Sequence, residues 1–214
     1  MKKVLLATLA IAAFVATSAE AGVRVRPYVS AKLGHAWANQ RAYTWDAANP
    51  ADKDKLAGTD NVWMGAYALG LKICAFRAEF EYNHWGKAHG DRELRTWGDY
   101  TRTSLRQQSW MLNGYFDIPT KTAVRPYVGA GLGMARIRGK VIWPMDGWTD
   151  LRGKTTFAWQ VGGGIGFNLT KNLTFDVGYR YVNNGNVAIK DFPGIPDKFH
   201  ARNHEVLAGL RYTF

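Results

Sequence analysis

Three observations together predict an all-β chain. Eight segments alternate apolar and polar residues, the closing stretch has one apolar and one small or charged face, and the composition is rich in glycine and aromatics. The fold class they define is an eight-stranded antiparallel transmembrane up-and-down β-barrel. The closing stretch is the clearest. In His204 to Phe214, one strand face carries His204, Val206, Ala208, Leu210, Tyr212 and Phe214, and the other Glu205, Leu207, Gly209, Arg211 and Thr213. An apolar face ending in aromatics, backed by a small or charged one, suits lipid outside and a polar lumen inside.

Taken in order, the strands are expected at 23–37, 62–73, 76–85, 107–118, 124–136, 155–168, 173–182 and 203–214. The connections at 74–75, 119–123 and 169–172 are short, and those at 38–61, 86–106, 137–154 and 183–202 are long. Short turns at one end and long loops at the other match periplasmic turns and extracellular loops. In the first strand Val25, Val29, Ala31 and Leu33 are assigned to lipid, and Arg26, Tyr28, Ser30 and Lys32 to the lumen. In the fifth, Val128, Ala130, Leu132 and Met134 point out, with Gly129, Gly131 and Gly133 pointing in. The sixth sets Phe157, Trp159, Val161, Ile165 and Phe167 against Ala158, Gln160, Gly162, Gly164 and Gly166. A soluble barrel would reverse these faces. Glycines, however, suit the inside of a narrow barrel better than a solvent surface, and the polar face carries charges of both signs.

The stretch Arg26 to Gly34 recurs as Arg125 to Gly133, changed only where Ser30 and Lys32 are replaced by Gly129 and Gly131. Leu69-Gly70-Leu71 is echoed by Ile165-Gly166-Phe167. Duplication of a four-stranded unit explains both, and so does convergence of strands that leave similar turns. Pro27 and Pro126 fall at strand starts, where proline is tolerated.

The beginning of the chain reads as an export signal. Lys2 and Lys3 precede an apolar run from Val4 to Ala16, and Ala19-Glu20-Ala21 is a cleavage site. Residues 1–21 are expected to be a cleaved secretory signal peptide and 22–214 the barrel domain. The run is too short for the ~20 residues of a membrane-spanning helix. The formal charge is +11. In an exported chain this basicity points away from nucleic acid and toward phosphate- or carboxylate-bearing partners, lipopolysaccharide above all. Cys74 is the only cysteine, which excludes an intramolecular disulfide, and it is read as a small turn residue.

Five stretches in order carry a family resemblance: Arg77–Tyr82 (RAEFEY), Asn113–Ile118 (NGYFDI), Arg125–Gly133 (RPYVGAGLG), Asp176–Tyr181 (DVGYRY) and the closing His204–Phe214. The chain resembles the small eight-stranded outer-membrane barrels of the opacity-protein type, which include porin-family surface antigens of Gram-negative bacteria. The resemblance implies an integral outer-membrane protein, and family members serve as adhesins, structural proteins or narrow pores. The closing strand is also similar to the signal read by the barrel-assembly machinery. That likeness implies an assembly role for Leu210, Tyr212 and Phe214.

The inward positions define an expected charge network of Lys32, Lys72, Arg77, Glu79, Glu81, Asp176, Arg180, Glu205 and Arg211, with Arg125 and Asp117 on the same face. Buried singly these charges would be costly, so they must pair. Glu79 and Glu81 are the expected partners of Lys32, Lys72 and Arg77, while Asp176 and Arg180 are expected near Glu205 and Arg211. A lumen just wide enough for side chains then reads as a salt-bridged plug. The alternative is a narrow porin or ion channel gated by switching pairs.

No enzyme is expected, nor any cofactor or metal. His-x-Ser and His-Glu-x-x-His spacings are missing from the sequence, and His204 and Glu205 point to opposite faces. His35, His84 and His204, with Trp37, Trp63 and Trp110, read as interfacial girdle residues, and His89 and His200 as loop residues. Arg95, Trp97, Arg102, Arg138, Lys140, Trp143 and Trp148 form the candidate loop surface. Basic and aromatic groups there suit lipopolysaccharide phosphates, a glycan or a host protein, or simply the surrounding lipid. A monomer is expected.

Overall fold

The structure, a computed structural model, describes residues 24–43, 55–86, 88–94, 99–143, 147–187 and 198–214. Residues 1–21, read as the signal peptide, lie outside them. The strands are β1 (Val25–Tyr43), β2 (Lys55–Ile73), β3 (Phe76–Trp85), β4 (Ala88–Leu94), β5 (Asp99–Asp117), β6 (Val124–Trp143), β7 (Gly147–Asn168), β8 (Leu173–Val187) and β9 (Lys198–Thr213).

All pairings are antiparallel. The hydrogen-bonded order runs β3-β2-β1-β9-β8-β7-β6-β5-β4, and β3 also pairs with β5. That last pairing closes the sheet. β3 and β4 lie end to end along β5, with Phe76 opposite Phe116 and Ala88 opposite Leu105, so together they make one stave of an eight-stranded barrel. Closure pairs both edges of β3, with β2 and with β5, whereas β4 pairs with β5 alone.

The stretches expected as long loops are largely strand. β1 runs six residues past position 37, β6 reaches Trp143 and β7 starts at Gly147. His89 and His200 therefore sit in β4 and β9. The physical reason is that period-two alternation exists only where one face meets an apolar medium. Beyond that level the outward face turns polar and the apolar-outside pattern is lost, although an antiparallel partner is still at hand to continue the ladder. The register slips once in β6–β7, between Ile137 and Gly139, and once in β8–β9, between Asn183 and Asn186. Gly185 fills the second irregularity with φ 78°, a left-handed conformation that glycine adopts without penalty.

At the short-turn end, Cys74 and Ala75 join β2 to β3. Cys74 is exposed, with φ 53°. Proline at the strand starts removes donors but leaves acceptors: Phe214 N–H donates to the Pro27 carbonyl at 2.9 Å and Ile118 N–H to that of Pro126 at 2.8 Å.

The two faces are sharply unlike. β3 alternates exposed and buried residues along nearly its whole length. Leu33, Trp63, Phe76, Leu112, Leu132, Met134, Phe157 and Phe214 are exposed on the outside. Glu79, Glu81, Asn83, Asn113, Asn203 and Glu205 are buried inside. An apolar cluster of Ala36, Val62, Met64, Ala66, Trp85, Ile137, Ala201 and Leu207 lies inside the barrel toward the long-hairpin end.

Glycine makes room for this filling. A Cβ at Gly129 would collide with the Tyr115 ring, and one at Gly131 with Asn113 Oδ1. At Gly164 and Gly178 it would come within 2.6 Å of the Tyr127 hydroxyl.

Candidate functional site

The lumen is a stack of polar layers. Nearest the short turns, Asp117 receives Lys72 Nζ at 2.6 Å and Arg77 Nε at 2.8 Å, while Arg211 Nη2 lies 3.0 Å from Asp176 Oδ1. The Arg77 guanidinium rests 4.6 Å from the centre of the Tyr115 ring and 5.0 Å from that of Tyr127. Cation–π contact supplements its ion pair.

In the middle layer Lys32 Nζ bridges Glu79 Oε1 at 3.0 Å and Glu81 Oε2 at 2.7 Å. Glu79 also accepts from Tyr28 at 2.9 Å and Tyr115 at 3.1 Å. Gln160 Nε2 donates to Asn113 Oδ1 at 2.6 Å, tying β7 to β5. Above lies Arg180, whose Nη1 is 2.6 Å from Glu81 Oε1 and whose Nε is 2.6 Å from Glu205 Oε2. Its Nη2 donates to Asn83 Oδ1 at 2.8 Å, and Trp85 Nε1 donates to Glu205 Oε1 at 2.7 Å. A last amide layer joins Gln107 to Asn184 and Asn203.

Each of Glu79, Glu81, Asp117, Asp176 and Glu205 thus has a cation partner. Two pairings differ from expectation. Lys72 and Arg77 pair with Asp117 and not with Glu79 or Glu81. Lys72 and Arg77 are direct cross-strand neighbours beside the β2–β3 turn, and Asp117 ends β5 at that same level. Glu79 and Glu81 lie farther along β3, where Lys32 and Arg180 reach them from β1 and β8. Arg125, half-buried, makes no ion pair among the described residues.

Of the uncharged members, sequence reasoning places Tyr28 and Gln160 in the lumen but not in the network, and it does not single out Asn83, Trp85, Asn113 and Tyr115. Their signal was parity. Each lies an even number of residues from a charged inward position of its own strand, or from an inward glycine of β7. Within the lumen a cavity of about 40 Å³ is lined by Lys32, Tyr115, Tyr127, Gln160, Asp176 and Arg180. That is room for a water or two.

On the outside, His35 lies edge-on to Trp37 and Trp63, with ring centres 5.2 and 5.5 Å apart. His204 Nδ1 is 2.6 Å from the Tyr179 hydroxyl. With Tyr82 against Trp110 and Trp159 against Tyr181, aromatic rings form a belt around the barrel. At the opposite rim Leu210, Tyr212 and Phe214 are exposed, and the last two rings meet at 5.1 Å.

Arg95 and Trp97 lie outside the described residues. Arg102 falls in β5, Lys140 and Trp143 in β6 and Trp148 in β7, and Arg138 is an exposed residue of β6. The described residues hold no cluster of His, Cys, Asp or Glu able to bind a metal.

A closed barrel that is apolar outside, ion-paired inside and belted by aromatics defines an integral membrane protein of the Gram-negative outer membrane. Comparison with known proteins places the chain in a family: residues 6–214 match the outer membrane protein beta-barrel domain, and the chain belongs to it. It is 26% identical to outer membrane protein PagN of Salmonella typhimurium, over 94% of this chain and 95% of that one. Among solved structures, Neisserial surface protein A matches with a TM-score of 0.59 at 23% identity, covering 88% of this chain and 97% of the other. The outer membrane protein AlkL in lipid bilayers matches with a TM-score of 0.52 at 14% identity, covering 89% and 90%. At these identities the two structures speak for the fold alone.

Proposed function

We propose that this protein is a sealed, non-enzymatic barrel that serves as a structural or surface-binding protein of the outer membrane. The observation that carries the reading is the continuous ion-paired column from Lys72 and Asp117 through Lys32, Glu79 and Glu81 to Arg180 and Glu205. Each buried ion in it has partners whose loss would be costly, so opening a path for solute means breaking several pairs together. Binding then falls to the outer surface and the long hairpins. Arg138 is exposed there, and the sequence assigns Arg95, Trp97, Arg102, Lys140, Trp143 and Trp148 to the same basic and aromatic surface, which suits lipopolysaccharide, a glycan or a host ligand. Leu210, Tyr212 and Phe214 serve in recognition by the barrel-assembly machinery.

The second reading is a narrow channel gated by interior salt bridges. It draws on Arg180, which is shared between Glu81 of β3 and Glu205 of β9 and could exchange between them. Planar-bilayer recording of the refolded mature chain separates the two. The sealed reading expects no stable conductance. Discrete channels whose current or selectivity changed on truncation of Glu79 or Arg180 would replace it with the gated pore.

A further inference from the structure

The strands continue past the apolar band, and this carries three arginines onto the outer wall. Arg106 of β5 stands directly opposite Arg138 of β6, and Gln108 opposite Arg136. All four lie on the outward face, in line with Trp110 and Leu112 on β5 and with Leu132 and Met134 on β6. The three arginines are exposed, and none has an ion pair or hydrogen bond among the described residues. Like charges directly opposite one another on a sheet face are destabilising. Inside the barrel Lys32, Lys72, Arg77, Arg180 and Arg211 each have a carboxylate. Here the described residues supply no anion, and one from outside the chain would serve all three.

Height says what that anion is. The outward apolar run of β6 extends from Val124 to Met134. About ten residues at ~3.3 Å, tilted ~40°, span ~25 Å, the height of the lipid-facing band of such barrels. Arg136 and Arg138 come next, on the side away from the short turns, at the level where headgroups begin. Guanidinium forks bind phosphate oxygens bidentately, and more strongly than neutral donors do. We propose that Arg106, Arg136 and Arg138 form a binding site on the β5–β6 wall for the phosphate groups of lipopolysaccharide in the outer leaflet. The proposal rests on the surface-binding reading above and names the lipid and the residues.

The test uses the refolded mature protein and purified lipopolysaccharide, intact or enzymatically dephosphorylated. The triple variant R106Q/R136Q/R138Q should bind intact lipopolysaccharide about tenfold more weakly or worse. Intact protein should bind the dephosphorylated form with similar weakness. R202Q removes an exposed arginine from β9, away from this wall, and should bind normally. A heat-modifiable gel shift reports folding of each variant, and the single variants R106Q and R138Q supply the same comparison if the triple variant does not fold. Unchanged affinity in the folded variants, or equal affinity for dephosphorylated lipid, would overturn the site, as would preference for a sulfated polysaccharide. None of these outcomes bears on conductance, so the sealed-lumen reading stands or falls separately.

Discussion

Glu81 on β3 and Leu132 on β6 exchange the environments that a water-soluble protein would give them: the carboxylate is 0% exposed and the leucine 58%. The two sites are held by different physics. Glu81 is stable because Lys32 and Arg180 meet both of its oxygens, and it has no counterpart to a hydrophobic driving force. Leu132 is stable because lipid lies against it, and it needs no specific partner. A change inside should therefore act through the loss of a named partner, and a change outside through the solvent it meets.

The largest effect is expected at the hub of the lumen. Arg180→Ala leaves Glu205 with only Trp85 and takes one of two cations from Glu81, a loss of about 3–5 kcal/mol for a broken buried pair. Urea titration of the folded gel band measures it. A loss below that of an outer-wall charge would mean that pairing does not organise the interior.

Next come Val128→Arg and Leu132→Arg on the outer wall. They should cost ~2–4 kcal/mol near the middle of the bilayer, and less toward the edge. The same titration in lipid vesicles reads them. A neutral Leu132→Arg would put the faces the wrong way round.

The smallest effect on the finished fold is expected at Phe214. Exposed at the rim, it can hold only part of the ~1.5–3 kcal/mol of a fully buried side chain, and the barrel is closed without it. On the proposed assembly role of the terminal aromatic, its deletion should leave detergent refolding nearly unchanged while lowering outer-membrane levels in cells. Equal losses in both assays would assign Phe214 to stability, and normal levels in cells would remove its assembly role.

The staves within the apolar band were legible because alternation there is strict. Leu33 and Lys32, or Leu132 and Gly131, differ as much as neighbours can. The upper hairpins were not, since the outward face turns polar there: Arg106 lies beyond Trp110 and Arg138 beyond Met134 on the same faces, so the apolar-outside pattern ends. Reading them as loop residues hid their juxtaposition. The same limit explains Trp85, whose large apolar ring suggests the outer girdle although its parity points it to Glu205.

Local pattern is a property of neighbours along one strand. Strand number, the facing of each residue and the need for internal charge pairing follow from that pattern alone, since period two fixes direction and burial forbids lone ions. Which ions pair is a property of register and of the path across the lumen. Arg180 meets Glu81 over 99 positions of chain, and Asp117 takes Lys72 and Arg77 in place of the nearer glutamates. Arg106 meets Arg138 only because β5 and β6 stay in register above the band. No periodicity within a strand encodes the offset between strands. Closing the barrel sets that offset, and with it the partners inside and the bare cationic edge outside.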